Sequence, residues 1–146
     1  MSAPSFTHTD GTQYWYLNGQ CHRKDGPAII FPDGTQHWYL NGKLHRNKGP
    51  AIIDSDGIAE QWYHHGLRHR KDGPAIIYPN GSEAWFLNGQ YHREDGPAYI
   101  WANDLEYWCL NGKEVEKNDP RIRQRSGSKT KACRKACRKA CVVEGK

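Results

Sequence analysis

Four histidines stand beside four arginines, as His22-Arg23, His45-Arg46, His69-Arg70 and His92-Arg93. Asp25, Asp72 and Asp95 follow three of these pairs, and Lys48 interrupts the aspartate column. Imidazole, guanidinium and carboxylate at a fixed spacing are the groups of a metal site or of acid–base chemistry. The sets recur every 23 or 24 residues. If each copy is one β-hairpin, equivalent side chains lie two strand spacings apart, roughly 9–10 Å. Zinc holds each imidazole nitrogen at about 2.0–2.1 Å, so such a column cannot converge on one ion. No metal and no cofactor is therefore expected. The favoured use is turn chemistry: the aspartate accepts backbone N–H groups, the arginine pairs with it, and the histidine fills the strand edge. A linear binding surface is the second use, which makes Arg23, Arg46, Arg70 and Arg93 candidate partner contacts.

Two other groups could carry chemistry. Tyr16, Tyr39, Tyr63 and Phe86 form a spaced aromatic row, and Tyr99 and Trp101 add aromatic bulk near the end of the repeats. They are either packing or a platform for a partner. Cys133, Cys137 and Cys141 recur every four residues among basic side chains. They lack a fourth ligand and the usual Cys-x₂-Cys spacing, so a metal reading is weak. Cys21 and Cys109 fall at strand positions and read as structural. No nucleophile elbow, phosphate-loop glycine pattern or carboxylate pair is present, and no catalytic residue is assigned.

These residues ride on a repeat. Trp15, Trp38, Trp62, Trp85 and Trp108 start five copies of one pattern, the fifth decaying after Gly112. A fixed period of this length marks an array whose copies bury their faces against one another. Within a copy, an aromatic and β-branched run leads into Asn18-Gly19, Asn41-Gly42, His65-Gly66, Asn88-Gly89 or Asn111-Gly112. Asn-Gly suits a type I′ hairpin turn, in which both central residues need positive φ. Asp25-Gly26-Pro27 makes a second turn, and Ala28-Ile29-Ile30 returns as a strand. Period-2 alternation places the tryptophans with Leu17, Leu40, Leu87 and Leu110, and Ala28, Ala51, Ala75 and Ala98 with Ile30, Ile53, Ile77 and Ile100. The tyrosine row faces the other way. No helical period is found.

The 23-residue period, the aromatic strand, the Asn-Gly turn and the closing Asp-Gly resemble MORN repeats over residues ~11–113. That family builds a long, twisted antiparallel sheet, one hairpin per repeat. The second half differs, with His22-Arg23-x-Asp25-Gly26-Pro27-Ala28 in place of the usual Gly-x-Gly. This variant is similar to repeats carried by bacteriophages and large DNA viruses. The resemblance implies a scaffolding or membrane-recognition role, and the departure argues against lipid binding.

Residues 1–119 carry 11 Lys and Arg against 15 Asp and Glu, whereas residues 120–146 carry 10 against one. The overall charge of +5 is thus a property of the C-terminal segment, and any electrostatic argument for nucleic acid applies there. No run of 18 apolar residues and no signal-like start is present, so a cytoplasmic protein is expected, in the host cell if phage-encoded. The fold expected is all-β: an elongated antiparallel sheet of about five hairpin repeats over 11–119, a flexible lead-in at 1–10 and a flexible basic tail at 120–146. The function expected is a non-enzymatic module that binds a host protein and blocks or recruits it, as an inhibitor or counter-defence protein. The alternative is nucleic-acid binding through Arg134, Lys135, Arg138 and Lys139, with the array as oligomeriser. Membrane binding by the tail is disfavoured, and the open sheet edges allow a homodimer.

Overall fold

The computed structural model describes residues 3–123. They are all-β, built as tandem β-hairpin repeats, with no helix among them and so none long and apolar enough to cross a membrane. Ten two-residue strands form one antiparallel sheet. In spatial order they are Phe6–Thr7, Gln13–Tyr14, Ile29–Ile30, Gln36–His37, Ile52–Ile53, Glu60–Gln61, Ile76–Ile77, Glu83–Ala84, Tyr99–Ile100 and Glu106–Tyr107. Five separate hairpins accompany it, the first pairing Tyr16–Leu17 with Gln20–Cys21.

The tryptophan is where each repeat divides. Trp15 donates its N–H to Ala28 O at 2.8 Å, on the sheet side, and accepts from His22 N at 2.9 Å, on the hairpin side. Trp38, Trp62 and Trp85 do the same with Ala51 and His45, Ala75 and His69, Ala98 and His92. The chain therefore breaks its strand at Trp, and the expected elongated antiparallel sheet of hairpin repeats is formed with a row of separate hairpins beside it. This also separates Trp15 from Leu17: Trp15 is buried whereas Leu17 is 50% exposed. Successive hairpins are joined sparingly, Gly42 N donating to Cys21 O and Arg23 N to Tyr39 O.

The turns are as expected from their sequence. Asn18, Asn41, His65, Asn88 and Asn111 have φ of 50–51°, and the glycine after each is also positive. Asn tolerates that region, and His is among the few other residue types that do so readily.

Register across the sheet makes two rows. One contains Phe6, Tyr14, Ile29, His37, Ile52, Gln61, Ile76, Ala84, Tyr99 and Tyr107; the other alternates Gln or Glu with Ile30, Ile53, Ile77 and Ile100. Ala28, Ala51, Ala75 and Ala98 are fully buried at the step between sheet and hairpins. Ile29 and Ile76 are as buried as Ile100, so the core is not confined to the Ala/Ile30 face.

Both ends of the array reach further than the sequence suggests. Phe6–Thr7, expected in a loose lead-in, pairs with Gln13–Tyr14, and the Phe6 ring lies 6.1 Å from that of Tyr14. Ile122, expected in the tail, is buried, and Arg123 N donates to Glu94 O. The two ends differ: Phe6–Thr7 adds a strand at the first edge of the sheet with Phe6 still 51% exposed, whereas Ile122 is buried after the last repeat. Nearby, Arg121 and the backbone hold the Asp119 carboxyl down at about 2.

Candidate functional site

The His-Arg-x-Asp sets are built into the repeat. Arg23, Arg46, Arg70 and Arg93 lie 4.1, 4.0, 3.8 and 3.9 Å from the ring centres of Trp15, Trp38, Trp62 and Trp85. Each guanidinium also donates to a proline carbonyl four residues on, at Pro27, Pro50, Pro74 and Pro97. Asp25, Asp72 and Asp95 accept from the arginine Nε at 2.9–3.4 Å. Asp10, Asp33, Asp56, Asn80 and Asn103 each accept the N–H two residues on, the kind of backbone capping expected of Asp25, Asp72 and Asp95. Arg46, opposite Lys48, keeps its tryptophan and its carbonyl, and burial lowers its pKa.

The glycine before each proline follows from this stack. A Cβ at Gly26, Gly73 or Gly96 would sit 2.8–2.9 Å from the arginine Cζ. Gly73→Ala is expected to push Arg70 off Trp62 and cost about 1–2 kcal/mol, the scale of a partly desolvated cation–π contact. Urea denaturation reads this directly, and a cost near zero would mean the guanidinium has an equally good second seat.

The histidines reach across to the next copy. His22 Nδ1 accepts the N–H of Asn41 at 3.1 Å and lies 2.8 Å from its side-chain amide. His69 meets Asn88 in the same way, and His92 Nδ1 accepts from Asn111 N. Between the second and third copies the partner is different. His45 Nδ1 accepts from His65 N at 3.0 Å, and one nitrogen from each of His45, His64 and His65 lies within 4.8 Å of the others. Unlike equivalent positions, which lie two strand spacings apart, this group joins the histidine column of one copy to the turn of the next. The signal was in the sequence: the third copy reads His64-His65 where the others read Leu-Asn. Burial first, then His65, His45, His69 and Lys71, lowers the His64 pKa.

The aromatic row is graded along the array. Tyr16 is 42% exposed, Tyr39 and Tyr63 are half-buried, and Phe86 is 5% exposed. Tyr63 accepts from Arg68 Nε at 3.2 Å. Beyond Phe86 the row opens into a concavity of ≈ 470 Å³ lined by Tyr78, Tyr91, Tyr99, Trp101 and Tyr107. Tyr99 and Tyr107 are paired across strands, and Tyr99 lies 4.4 Å from Trp101. Ala84, opposite Tyr99, stands where other copies carry Tyr14, His37, Gln61 and Tyr107, and is fully buried in the core with Phe86. Of the lining residues, Tyr99 and Trp101 were expected from the sequence. Tyr78, Tyr91 and Tyr107 were not, since they come from three different columns of the repeat.

Cys21 and Cys109 are free thiols whose pKa is raised by burial, which makes them poor nucleophiles. Arg134, Lys135, Arg138, Lys139 and the Cys133, Cys137, Cys141 stripe lie outside the described residues. The sequence matches no protein-family model and no curated protein.

Proposed function

We propose that this chain is a non-enzymatic binding module of the MORN-like repeat type, phage-encoded, whose aromatic concavity docks a host protein and blocks or recruits it. The observation that supports this reading is the convergence of Tyr78, Tyr91, Tyr99, Trp101 and Tyr107 on one open surface. Aromatic side chains dominate the binding energy of protein interfaces, because they bury much area at little entropic cost. Trp101 is 42% exposed and Tyr99 half-buried, so both retain apolar area for a partner to cover. The arginines are employed differently: Arg23, Arg70 and Arg93 have side chains only 6%, 20% and 13% exposed. They act here by holding the tryptophans under the surface.

A second reading follows from the charge of residues 120–146, which would bind nucleic acid with steep salt dependence. One experiment separates the two. The full chain is used as bait in host lysate, with and without nuclease, beside Trp101→Ala and a variant with Arg134, Lys135, Arg138 and Lys139 changed to alanine. One host protein, retained after nuclease and reduced at least about 10-fold by Trp101→Ala, is the expected result; a truncated interface anchor costs this much or more. Binding that survives Trp101→Ala and vanishes with nuclease or the tail variant gives the function to the tail.

A further inference from the structure

We propose that His45, His64 and His65 form a binding site for one divalent transition-metal ion of the zinc type, with a coordination position left open to solvent. The three rings are mutually close, at 4.3–4.8 Å between centres, and one nitrogen of each lies within 4.8 Å of the others. They are brought together by three departures from the repeat at one place. His64 replaces the leucine of the other copies, His65 replaces their asparagine, and Asn47 stands where Lys24, Lys71 and Glu94 stand.

Each departure has a use at a metal. Asn47 removes a charged side chain beside the group and supplies an acceptor. His45 Nε2–H donates to Asn47 Oδ1 at 2.9 Å, which leaves the Nδ1 lone pair facing the third copy. Such an outer bond is how ligating histidines are held in one tautomer and one orientation. His45 is buried and hydrogen-bonded through both ring nitrogens, whereas His64 and His65 are exposed. Tetrahedral zinc with bonds of about 2.0–2.1 Å places its nitrogens roughly 3.3–3.4 Å apart. The two exposed rings must therefore close by up to about 1.5 Å from their present spacing, within reach of small χ1 and χ2 rotations. Metal at His45 Nδ1 replaces the part-buried hydrogen bond from His65 N, and the affinity must exceed that cost.

An all-imidazole set selects zinc, copper, nickel or cobalt over magnesium or calcium, which prefer oxygen. Three protein ligands with an open fourth position is the arrangement of an exchangeable or reactive zinc, as distinct from a closed structural one. His69, with its ring 5.7 Å from that of His64, is held by Asn88 through Nδ1 and is not counted as a ligand. Lys71 lies near His64 and opposes a cation, so the affinity is set by the three nitrogens against that charge.

The test is a calorimetric titration of the full chain with zinc chloride, repeated with cobalt chloride and read by visible absorption. The comparison is His64→Leu/His65→Asn, which restores the residues the other copies carry and so keeps the fold. A second comparison, His64→Gln, changes a single exposed side chain. The background Cys133→Ser/Cys137→Ser/Cys141→Ser removes three thiols and leaves Cys21 and Cys109, whose pKa burial raises. One zinc per chain in that background, an intense cobalt band, an affinity loss of at least about 100-fold in the double variant and of roughly 10-fold in Asn47→Ala are expected. No zinc uptake in that background overturns the proposal. So does equal uptake by the wild type and both histidine variants, or a thermal midpoint that zinc fails to raise, since a ligand bound only by the folded chain must raise it.

Discussion

Phe86→Ala is expected to lower the free energy of unfolding by about 3–5 kcal/mol, the usual cost of emptying a buried aromatic position. Phe86 is 5% exposed and packs with Ala75, Ile76 and Ala84, while Trp62, Tyr78, Tyr91 and Tyr99 close around it. Its ring lies 4.2 Å from that of Tyr91. Ala75 and Ala84 are already fully buried and too short to move into the space. The cavity would therefore persist, and the lost contacts would add to the lost transfer energy. Tyr16→Ala, in the same column of the first copy, should cost no more than about 1 kcal/mol, because Tyr16 is 42% exposed and has less contact to lose. Urea denaturation of the two variants beside the wild type measures both. Equal losses would mean that the column packs uniformly, contrary to the graded burial. Because Tyr91 lines the aromatic concavity, Phe86→Ala should also weaken partner binding, through support of the surface and not through contact.

Local chemistry was the most legible part of the sequence. Asn18-Gly19 and its copies announce a type I′ turn because few other residue pairs accept positive φ twice in succession. The repeat period announces the array. The break at each tryptophan was not legible, since it depends on Trp15 N bonding toward Ala28 while Trp15 O bonds toward His22. Period-2 alternation assumes one continuous strand and so put Leu17 inside. The strand at Phe6–Thr7 and the burial of Ile122 depend on edges that exist only once the array has formed. The histidine group illustrates the same limit. Column-by-column reasoning compares like positions, whereas His45 meets residues 19 and 20 positions further on, across the contact between copies. The concavity was half legible: Tyr99 and Trp101 announce added bulk, but Tyr78, Tyr91 and Tyr107 join them only through the fold.

Arg23→Ala is expected to cost about 2–4 kcal/mol and Asp25→Ala no more than about 1, and the inequality decides what holds the repeat together. The Arg23 side chain is 6% exposed, lies 4.1 Å over Trp15 and donates to Pro27 O at 3.2 Å. A desolvated cation–π contact contributes roughly 1–2 kcal/mol, and a hydrogen bond from a charged donor roughly 1.5–3. These overlap in one side chain and do not simply add. Asp25 is 65% exposed and 3.3 Å from Arg23 Nε, and exposed ion pairs contribute about 0–1 kcal/mol. The second copy supports this order. With Lys48 in the aspartate column, Arg46 still stacks on Trp38 at 4.0 Å and still reaches Pro50 O at 3.1 Å. Arg23→Lys should recover less than half of the loss, since an ammonium lacks the planar fork that covers the indole and reaches the carbonyl together. Raising salt from 0.1 to 1 M, about a threefold shortening of the screening length, should leave the cost of Arg23→Ala nearly unchanged and reduce that of Asp25→Ala. If Asp25→Ala were instead as costly as Arg23→Ala, the ion pair would be the dominant tie. The second copy would then have to be the weakest in the array, a difference that hydrogen exchange of the Trp38 and Trp15 amides would show.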